Sequence, residues 1–402
     1  MIMQDNEKKP ALRFKGFTDP WEQRKFSELY EKVSRKNDLT YGKDDIISVA
    51  NMYYKAESYI TDENYLLTYN VFEMGDIAFE GNKSKNFAHG RFVENTIGNG
   101  IVSHVFDVFK PRMTNYDLQF WKYAINNERI MGPILLRSTK ASTMMTNLVA
   151  DDFLQENFLI PCYEEQKKIG EFLNQLDTLI TLHQRKYEKL VNIKKSMLDK
   201  MFPKNGVSVP EIRFKGFTDP WEQRKLKELY FQLTERNADL LPYQKTLSVA
   251  TMSFKTDGNG AADTSLANYK RLRTGDIAFE GHTSKEFRYG RFVLNDVGDG
   301  IMSPRFSALR PLHEMPINFW KYYIHYEPIM RKVLVNSTKA GTMMNELVIN
   351  EFLQESILVP SVAEQQAIGR FFKQLDTLIT LHQRKLEKLQ NIKKSCLEKM
   401  FV

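Results

Sequence analysis

The 402 residues of this chain contain one long sequence twice in succession. Similar segments follow one another in the same order in each half, and the four tryptophans fall in register. The longest shared segments are RFKGFTDPWEQRK (13–25 and 213–225), GDIAFEG (75–81 and 275–281) and LDTLITLHQRK (176–186 and 375–385). Solenoid repeats measure only about 20–45 residues, so a repeat that fills half the chain is a duplicated domain. The duplication therefore predicts two globular parts with one fold.

Each copy begins with a region of mixed secondary structure. Short β-type runs such as DIISVA, GDIAFEG and GIVSHVFDVF are bounded by Gly and Asn, a pattern that is typical of strands. A helical stretch is expected around residues 120–130. We therefore predict an α+β fold for the globular part of each copy.

A long helix closes each copy. Between Glu164 and Phe202 there is no proline, no glycine follows Gly170, and apolar residues recur every three or four positions. At 1.5 Å per residue such a helix is roughly 55 Å long, and its apolar stripe needs a partner. We predict that the equivalent helices of the two copies pack as an antiparallel coiled coil, which would relate the halves by a pseudo-two-fold axis. In the alternative arrangement, each helix folds back on its own globular part.

The predicted seam of this helix pair contains one histidine in each copy. His183 and His382 interrupt the apolar series, and we interpret them as packing residues rather than metal ligands. The predicted interface residues are Phe172, Leu176, Leu179, His183, Leu190, Phe371, Leu375, Leu378, His382 and Leu389.

The two copies differ most between residues 35–74 and 235–274. These divergent intervals align poorly although the segments on either side are nearly identical, so one scaffold carries two different surfaces. Two different surfaces suit a ligand with two different half-sites, whereas a symmetric ligand would require the same surface twice. Drift after the duplication is the alternative explanation.

The charge of the chain favours an anionic partner. The formal net charge is +7, which suits nucleic acid, although an ordinary basic protein would look the same. Cys162 and Cys396 do not occupy matching positions, so we expect no disulfide and a reducing, cytoplasmic location. The sequence has no run of 18 apolar residues and begins with polar and charged residues, so neither a membrane span nor a signal peptide is expected.

The sequence shows no catalytic constellation. It has no P-loop, no Pro-Pro dipeptide for the target-base pocket of an adenine or cytosine methyltransferase, and no His/Cys cluster for a metal such as zinc. The segment EQK at 165–167 has the Glu-x-Lys form found in nucleases, but the second copy reads EQQ at 364–366. We therefore expect a chain that binds and does not catalyse.

Two loops with basic, amide and hydroxyl side chains, at 80–92 and 280–292, form the expected DNA-contacting surface. The Ser-Lys pair that both loops share suits phosphate contacts, and the positions that differ suit base edges. The shared Ser-Thr-Lys motif at 138–140 and 337–339 is a second candidate for phosphate contacts. For each residue, an ordinary solvated side chain is the alternative. The predicted DNA-contacting residues are Lys55, Asn82, Lys83, Ser84, Lys85, His89, Lys140, Lys255, Lys270, Arg271, Arg273, His282, Thr283, Ser284, Lys285, Arg288, Tyr289 and Lys339.

Taken in order, these motifs resemble the specificity subunits of type I restriction-modification systems. The motifs are WEQRKxxEL, GDIAFEG, the STK segment, a proline followed by EEQ or AEQ, and a heptad helix with a Lys-rich end. The resemblance runs from about residue 13 to residue 402 and occurs twice. It implies target recognition domains at 13–160 and 213–359 and spacer helices at 161–205 and 360–402.

The resemblance also implies partners. Each target recognition domain would read one half of an asymmetric, bipartite DNA site, and the helices would set the unread spacer. Two methyltransferase subunits would methylate an adenine in each half-site with S-adenosylmethionine, and restriction subunits would use ATP and Mg to translocate and cleave DNA. DNA-mimicking anti-restriction proteins would bind the same surface. The alternative is an assembly scaffold that does not contact DNA.

Overall fold

A computed structural model of the chain describes residues 8–55, 60–141, 145–204, 206–255 and 263–402. Parts of the two divergent intervals, residues 56–59 and 256–262, therefore lie outside the described residues, as does the N-terminal segment 1–7 on which the expected absence of a signal peptide partly rests.

The chain forms two compact units. Unit 1 consists of the described residues up to Gln184 and of residues 384–402, and unit 2 consists of residues 185–383. Each unit thus contains one globular part and segments of two long helices. The predicted domain bounds, which cut the chain at the ends of these helices, stay predictions.

The helices of the described residues are α1 (Phe26–Leu29), α2 (Leu118–Ala124), α3 (Glu128–Ser138), α4 (Ala150–Gln155), α5 (Tyr163–Met201), α6 (Ile317–Tyr323), α7 (Glu327–Ser337), α8 (Ile349–Gln354) and α9 (Val362–Lys399). Short 3-10 helices occur at Lys43–Asp45, Glu63–Thr68, Leu226–Glu228, Tyr243–Lys245 and Asp263–Asn268. The helix predicted at 120–130 is interrupted between α2 and α3, because the Asn127 side chain accepts a hydrogen bond from the Arg129 N–H and caps α3.

The described strands of unit 1 are β1 (Glu22–Lys25), β2 (Tyr30–Val33), β3 (Ile47–Ser48), β4 (Tyr53–Tyr54), β5 (Asn70–Phe72), β6 (Ile77–Glu80), β7 (Arg91–Glu94), β8 (Gly100–Val102), β9 (Val108–Pro111), β10 (Thr139–Ala141), β11 (Thr146–Leu148) and β12 (Asn157–Ile160). Those of unit 2 are β13 (Glu222–Lys225), β14 (Tyr230–Gln232), β15 (Leu247–Ser248), β16 (Ser253–Phe254), β17 (Lys270–Leu272), β18 (Ile277–Glu280), β19 (Arg291–Leu294), β20 (Gly300–Met302), β21 (Ala308–Pro311), β22 (Thr338–Lys339), β23 (Glu346–Leu347) and β24 (Ser356–Val359).

A four-stranded antiparallel sheet lies at the centre of each unit. Its strand order is β2-β9-β6-β7 in unit 1 and β14-β21-β18-β19 in unit 2. The strands β6 and β18, which come from the shared GDIAFEG motif, are buried at every position. In unit 1 the Phe153 ring of α4 packs against Phe92 and Phe109 at centroid distances of 4.5 and 5.3 Å. The predicted α+β fold is confirmed.

The shared N-terminal motif anchors the start of each long helix. In unit 1 the Arg13 guanidinium donates two hydrogen bonds, of 2.7 and 2.8 Å, to the Glu165 carboxylate, which is fully buried. Unit 2 repeats this contact between Arg213 and Glu364, with both bonds at 2.7 Å. Glu165 of the nuclease-like EQK segment is therefore held in a structural ion pair.

Substitution of Glu165 by Ala should destabilise unit 1 strongly. It would leave the Arg13 side chain, which is 14% exposed, without its counter-ion, and breaking a buried pair costs about 3–5 kcal/mol. Urea denaturation followed by tryptophan fluorescence should report this loss. As a control, Arg137→Ala in the more exposed Arg137–Glu156 pair should cost less than about 1 kcal/mol. Similar losses in both variants would refute the anchoring role of Glu165.

Helices α5 and α9 run antiparallel in unit 1. Ile169, near the start of α5, and Phe401, just after α9, belong to the same hydrophobic core. Eight residues further along α5, and eight residues earlier in α9, Asp177 pairs with Lys393 at 2.5 Å. Helix α5 runs from the core contact to the Asp177–Lys393 pair, whereas α9 runs from that pair to the core contact. The two helices are therefore antiparallel.

Unit 2 contains the same arrangement with the helices exchanged. Its core includes Phe202, just after α5, and Ile368, near the start of α9, and Lys194 pairs with Asp376 at 2.6 Å. The predicted antiparallel pairing is confirmed in both units. The alternative, in which each helix folds back only on its own globular part, is wrong because each core contains residues of both helices.

The observed seam differs in part from the predicted one. Leu176 and Leu375 are buried, and Phe172, Leu190, Phe371 and Leu389 are half-buried against the cores, as are His183 and His382 within the helices. The prediction for Leu179 and Leu378 is corrected, because these side chains are 42% and 43% exposed. The fully buried residues Leu173 and Phe372 were missed. A heptad series from Ile169 passes through Leu173, Leu176 and Ile180, which places Leu179 beside the seam.

Candidate nucleic-acid interface

The basic loop of unit 1, defined as residues 81–90, joins β6 to β7. Ser84 closes a turn inside it: its N–H donates to the Phe87 carbonyl at 2.9 Å, and the Phe87 N–H donates to the Ser84 Oγ at 3.1 Å. The predicted residues Asn82, Lys83, Ser84 and Lys85 are exposed. The Ser84 hydroxyl accepts in this turn, and a phosphate contact by its own proton stays a prediction.

The basic loop of unit 2, residues 281–290, repeats this turn. The Ser284 N–H donates to the Phe287 carbonyl at 3.1 Å, and the Phe287 N–H donates to the Ser284 Oγ at 3.0 Å. Lys285 and the differing residues Thr283 and Arg288 are exposed, and Tyr289 is half-buried. The Arg288 guanidinium lies 5.9 Å from the Tyr289 ring centroid. The shared sequence therefore builds one loop conformation with different side chains on it.

The hairpin β10–β11 brings the second predicted cluster to the basic loop of unit 1. The Thr146 N–H donates to the Gly81 carbonyl at 2.8 Å, and the Thr146 hydroxyl donates to the His89 carbonyl at 2.9 Å. A Cβ on Gly81 would lie 2.1 Å from the Thr146 carbonyl oxygen, so this approach requires glycine. Exposed Lys140 lies on the same hairpin, and His89, whose carbonyl accepts the Thr146 bond, is half-buried.

Unit 2 joins the same two elements. The Asn345 N–H donates to the Gly281 carbonyl at 2.9 Å, and the Asn345 side chain donates to the Arg288 carbonyl at 3.2 Å. Exposed Lys339 lies on the hairpin β22–β23. The structure thus brings the Ser-Lys loop and the Ser-Thr-Lys hairpin together in each unit.

An arginine that sequence reasoning missed ties the divergent interval to the basic loop of unit 1. Arg91, the arginine of the shared GRFV motif, donates to the Ala50 carbonyl at 2.6 Å and pairs with Glu80 at 2.8 Å. Its guanidinium also lies 5.0 Å from the centroid of the Phe87 ring, inside the loop. The turn that it holds leads into β4, where Tyr53 is 51% exposed.

The same contact recurs in unit 2, where Arg291 donates to the Ala250 carbonyl at 2.9 Å and lies 5.1 Å from the Phe287 ring centroid. In both units the held turn contains a methionine in the left-handed region, with φ of 48° at Met52 and 45° at Met252. Such strain in a non-glycine residue persists only where the surroundings impose it. The exposed lysines Lys55 and Lys255 follow these turns.

Two predicted DNA-contacting residues of unit 2 are corrected. The Lys270 ammonium donates to the Phe306 carbonyl at 2.6 Å, and burial lowers the pKa of this lysine. The Arg271 side chain is 13% exposed and lies 3.4 Å from Asp239 and 3.6 Å from Asp299. Both cations are therefore used within the protein and are not presented to a ligand.

Arg273 belongs to an ion pair whose polarity is inverted between the units. It pairs with Glu235 at 2.8 Å in unit 2, whereas the corresponding positions of unit 1 are occupied by an Arg35–Glu73 pair. Arg35 also pairs with Asp76, whose pKa burial raises to about 6. The acid and the base have swapped positions between the units, so the ion pair is preserved although both residues differ.

The exposed side chain at position 82 of the basic loop, and its counterpart at 282, each contact a buried acid. The Asn82 side chain donates to the Glu80 carboxylate at 3.1 Å, and the His282 Nδ1 lies 2.5 Å from the Glu280 carboxylate. Both acids are buried at the ends of β6 and β18. A base contact by Asn82 or His282 stays a prediction, and it would compete with these bonds.

The described residues contain no group of three or more His, Cys, Asp and Glu side chains that could hold a metal ion. Within the same residues, no helix is both long enough and apolar enough to cross a membrane.

Comparison with known proteins gives consistent similarities. The sequence matches the family model of the type I restriction modification DNA specificity domain twice, over residues 18–192 and 219–391. It is similar to the specificity subunit of the type I restriction enzyme MjaVIII from Methanocaldococcus jannaschii, with 26% identity over 270 residues. This match covers 61% of the chain and 61% of that relative, which is less than two thirds of its length. The fold resembles that of the S subunit of a type I restriction-modification system from M. genitalium, with a TM-score of 0.56, 12% identity, and coverage of 98% of this chain and 99% of that chain.

Proposed function

Because this chain belongs to the type I restriction modification DNA specificity family, we propose that it is the DNA-recognition subunit of a type I restriction-modification complex. One observation carries the proposal: the same basic surface is built twice, and each copy is tied by an arginine to a different interval of sequence. Shared lysines and serines suit the phosphates, which are alike at every site, and the differing residues suit the bases of two half-sites.

We further propose that the helices set the spacer between the half-sites and provide docking sites for two methyltransferase subunits. Those subunits would use S-adenosylmethionine, and restriction subunits would use ATP and Mg, while this chain performs no chemistry. The complex would act in the cytoplasm, and DNA-mimicking anti-restriction proteins would compete for its basic surface.

Mapping of methylated adenine across the host genome tests the proposal. A strain that carries the chain with its methyltransferase subunits should methylate one bipartite, asymmetric sequence, and a strain without the chain should lose that modification. Retention of the same methylated sequence after removal of the chain would overturn the recognition role.

The double variant Lys85→Ala Lys285→Ala should weaken binding of the complex to every duplex. Each lost phosphate contact should reduce the slope of log affinity against log salt by about one, so the slope should fall by about two. The control Lys225→Ala Lys227→Ala removes two exposed lysines near the start of β14, at the opposite end of the unit 2 sheet, and should leave the slope unchanged. An unchanged slope in the first variant would favour the non-DNA-binding scaffold.

A further inference from the structure

Met343 is a large apolar side chain that the fold leaves almost completely in water. It is 80% exposed, more than any other large apolar residue in the described part of the chain. It lies at the tip of the hairpin β22–β23, in the segment that joins Lys339 to Glu346. A single exposed apolar side chain is ordinary on a protein surface, so a role for Met343 depends on what surrounds it.

The hairpin tip is fixed to the basic loop of unit 2. Asn345, two residues after Met343, forms the bonds to the Gly281 and Arg288 carbonyls described above. A Cβ on Gly281 would lie 2.1 Å from the Asn345 carbonyl oxygen, so the two backbones touch. Met343 is therefore held beside the residues that we assign to phosphate contacts.

The charge around the tip favours a duplex as its partner. Lys285, Arg288 and Lys339 are exposed beside it, against the exposed carboxylates Glu286 and Glu346, so the rim is net positive. Proteins that kink DNA insert an apolar side chain as a wedge between two base pairs, while nearby cations neutralise the phosphates. Methionine is among the side chains used as wedges.

The sequence around the tip indicates a role that does not depend on the bases read. Both copies carry Thr-Met-Met, at 143–145 and 342–344, although loop residues beside it differ. The counterpart of Met343 is Met144, which lies outside the described residues. A feature common to both copies suits an action common to both half-sites.

We propose that Met343 inserts between stacked base pairs of the bound duplex and opens one base step beside the half-site read by unit 2. This inference rests on the proposed function. The opened step would lower the cost of extruding a nearby adenine, since unstacking is part of the energy that base flipping requires.

The test uses the full chain in complex with its methyltransferase subunits, bound to duplexes that carry the mapped site. 2-Aminopurine, an adenine analogue whose fluorescence rises when it unstacks, replaces in turn each adenine of this half-site except the target, and each unread position beside it. With the unmodified chain, one non-target step should show increased fluorescence. Met343→Ala should return that signal to the level of free duplex and weaken specific binding by about tenfold, whereas Met343→Leu should retain the signal.

A matched control and two further outcomes complete the test. Leu312→Ala truncates another exposed apolar residue, 45% exposed, that follows β21 at the end of the sheet away from the loop, and it should behave as the unmodified chain. Sequence-specific binding without an unstacked non-target step, or with a step that survives Met343→Ala, would overturn the wedge and leave the recognition role intact. Loss of methyltransferase binding by Met343→Ala without DNA would make Met343 a protein contact and overturn it as well. Equal binding to all duplexes would remove the proposed function itself.

Discussion

Replacement of residues 235–274 by residues 35–74 is expected to convert the asymmetric site of this chain into one that contains the half-site of unit 1 twice. The transplanted interval carries the hairpin β3–β4, with its exposed tyrosines Tyr53 and Tyr54. It also carries both Arg35 and Glu73, so the inverted ion pair moves as a whole. Arg310, which lies outside the interval and loses Glu235, keeps its pair with Asp276 at 2.8 Å. Arg291 would hold the incoming turn, because its contact is with a backbone carbonyl at an alanine that both intervals share.

The outcome is read from methylated adenines in a host that carries the chimera. The reciprocal replacement, of residues 35–74 by 235–274, is the matched control and should duplicate the other half-site. If the chimera still methylated the original asymmetric sequence, the divergent intervals would not be the reading elements, and the differing residues of the basic loops would take that role.

Insertion of seven residues before His183, with a matching insertion before His382, should lengthen the spacer of the recognised site without changing either half-site. Seven residues keep the heptad phase and add about 10.5 Å of helix. With successive major grooves about 34 Å apart, that length corresponds to roughly three base pairs. Mapping of methylated adenine measures the spacer directly.

The same seven residues inserted after Pro203 provide the control for the helix insertion. This position lies outside the helices, and the chain on both sides of it belongs to unit 2, so the spacer should stay the same. A constant spacer in the helix insertion would show that α5 and α9 do not measure the distance between half-sites.

The fold could be predicted from the sequence where a pattern repeats. The duplication, the α+β fold and the two long helices follow from shared motifs and from apolar spacing, and the observed α5 lies inside the predicted range 161–205. The error at Leu179 arose because leucines on both sides of a seam share the same three-four spacing. Only contacts with the second helix distinguish them.

The candidate site was harder to predict because the charge of a residue does not show whether its side chain faces solvent or is paired inside the protein. Lys270 and Arg271 were predicted to be surface cations within a divergent interval, yet both are paired inside unit 2. Arg91 was not predicted because its own sequence neighbourhood gives no sign of the contact that it makes. Its role depends on the Ala50 carbonyl, which lies far from it in sequence, and the available signal was the recurrence of GRFV beside both loops.

The exchange of helix ends between the units has a consequence for biosynthesis. In unit 1 the Phe401 ring packs 6.3 Å from Trp21 and 5.6 Å from Phe120, and the Leu12 N–H donates to the Lys399 carbonyl at 2.8 Å. A ribosome makes the first 184 residues long before it makes residues 384–402. Unit 2, whose segments are contiguous in the chain, can therefore finish folding first. The part of the protein that is translated earliest must wait on the nascent chain, with an open apolar face, for the residues that complete it.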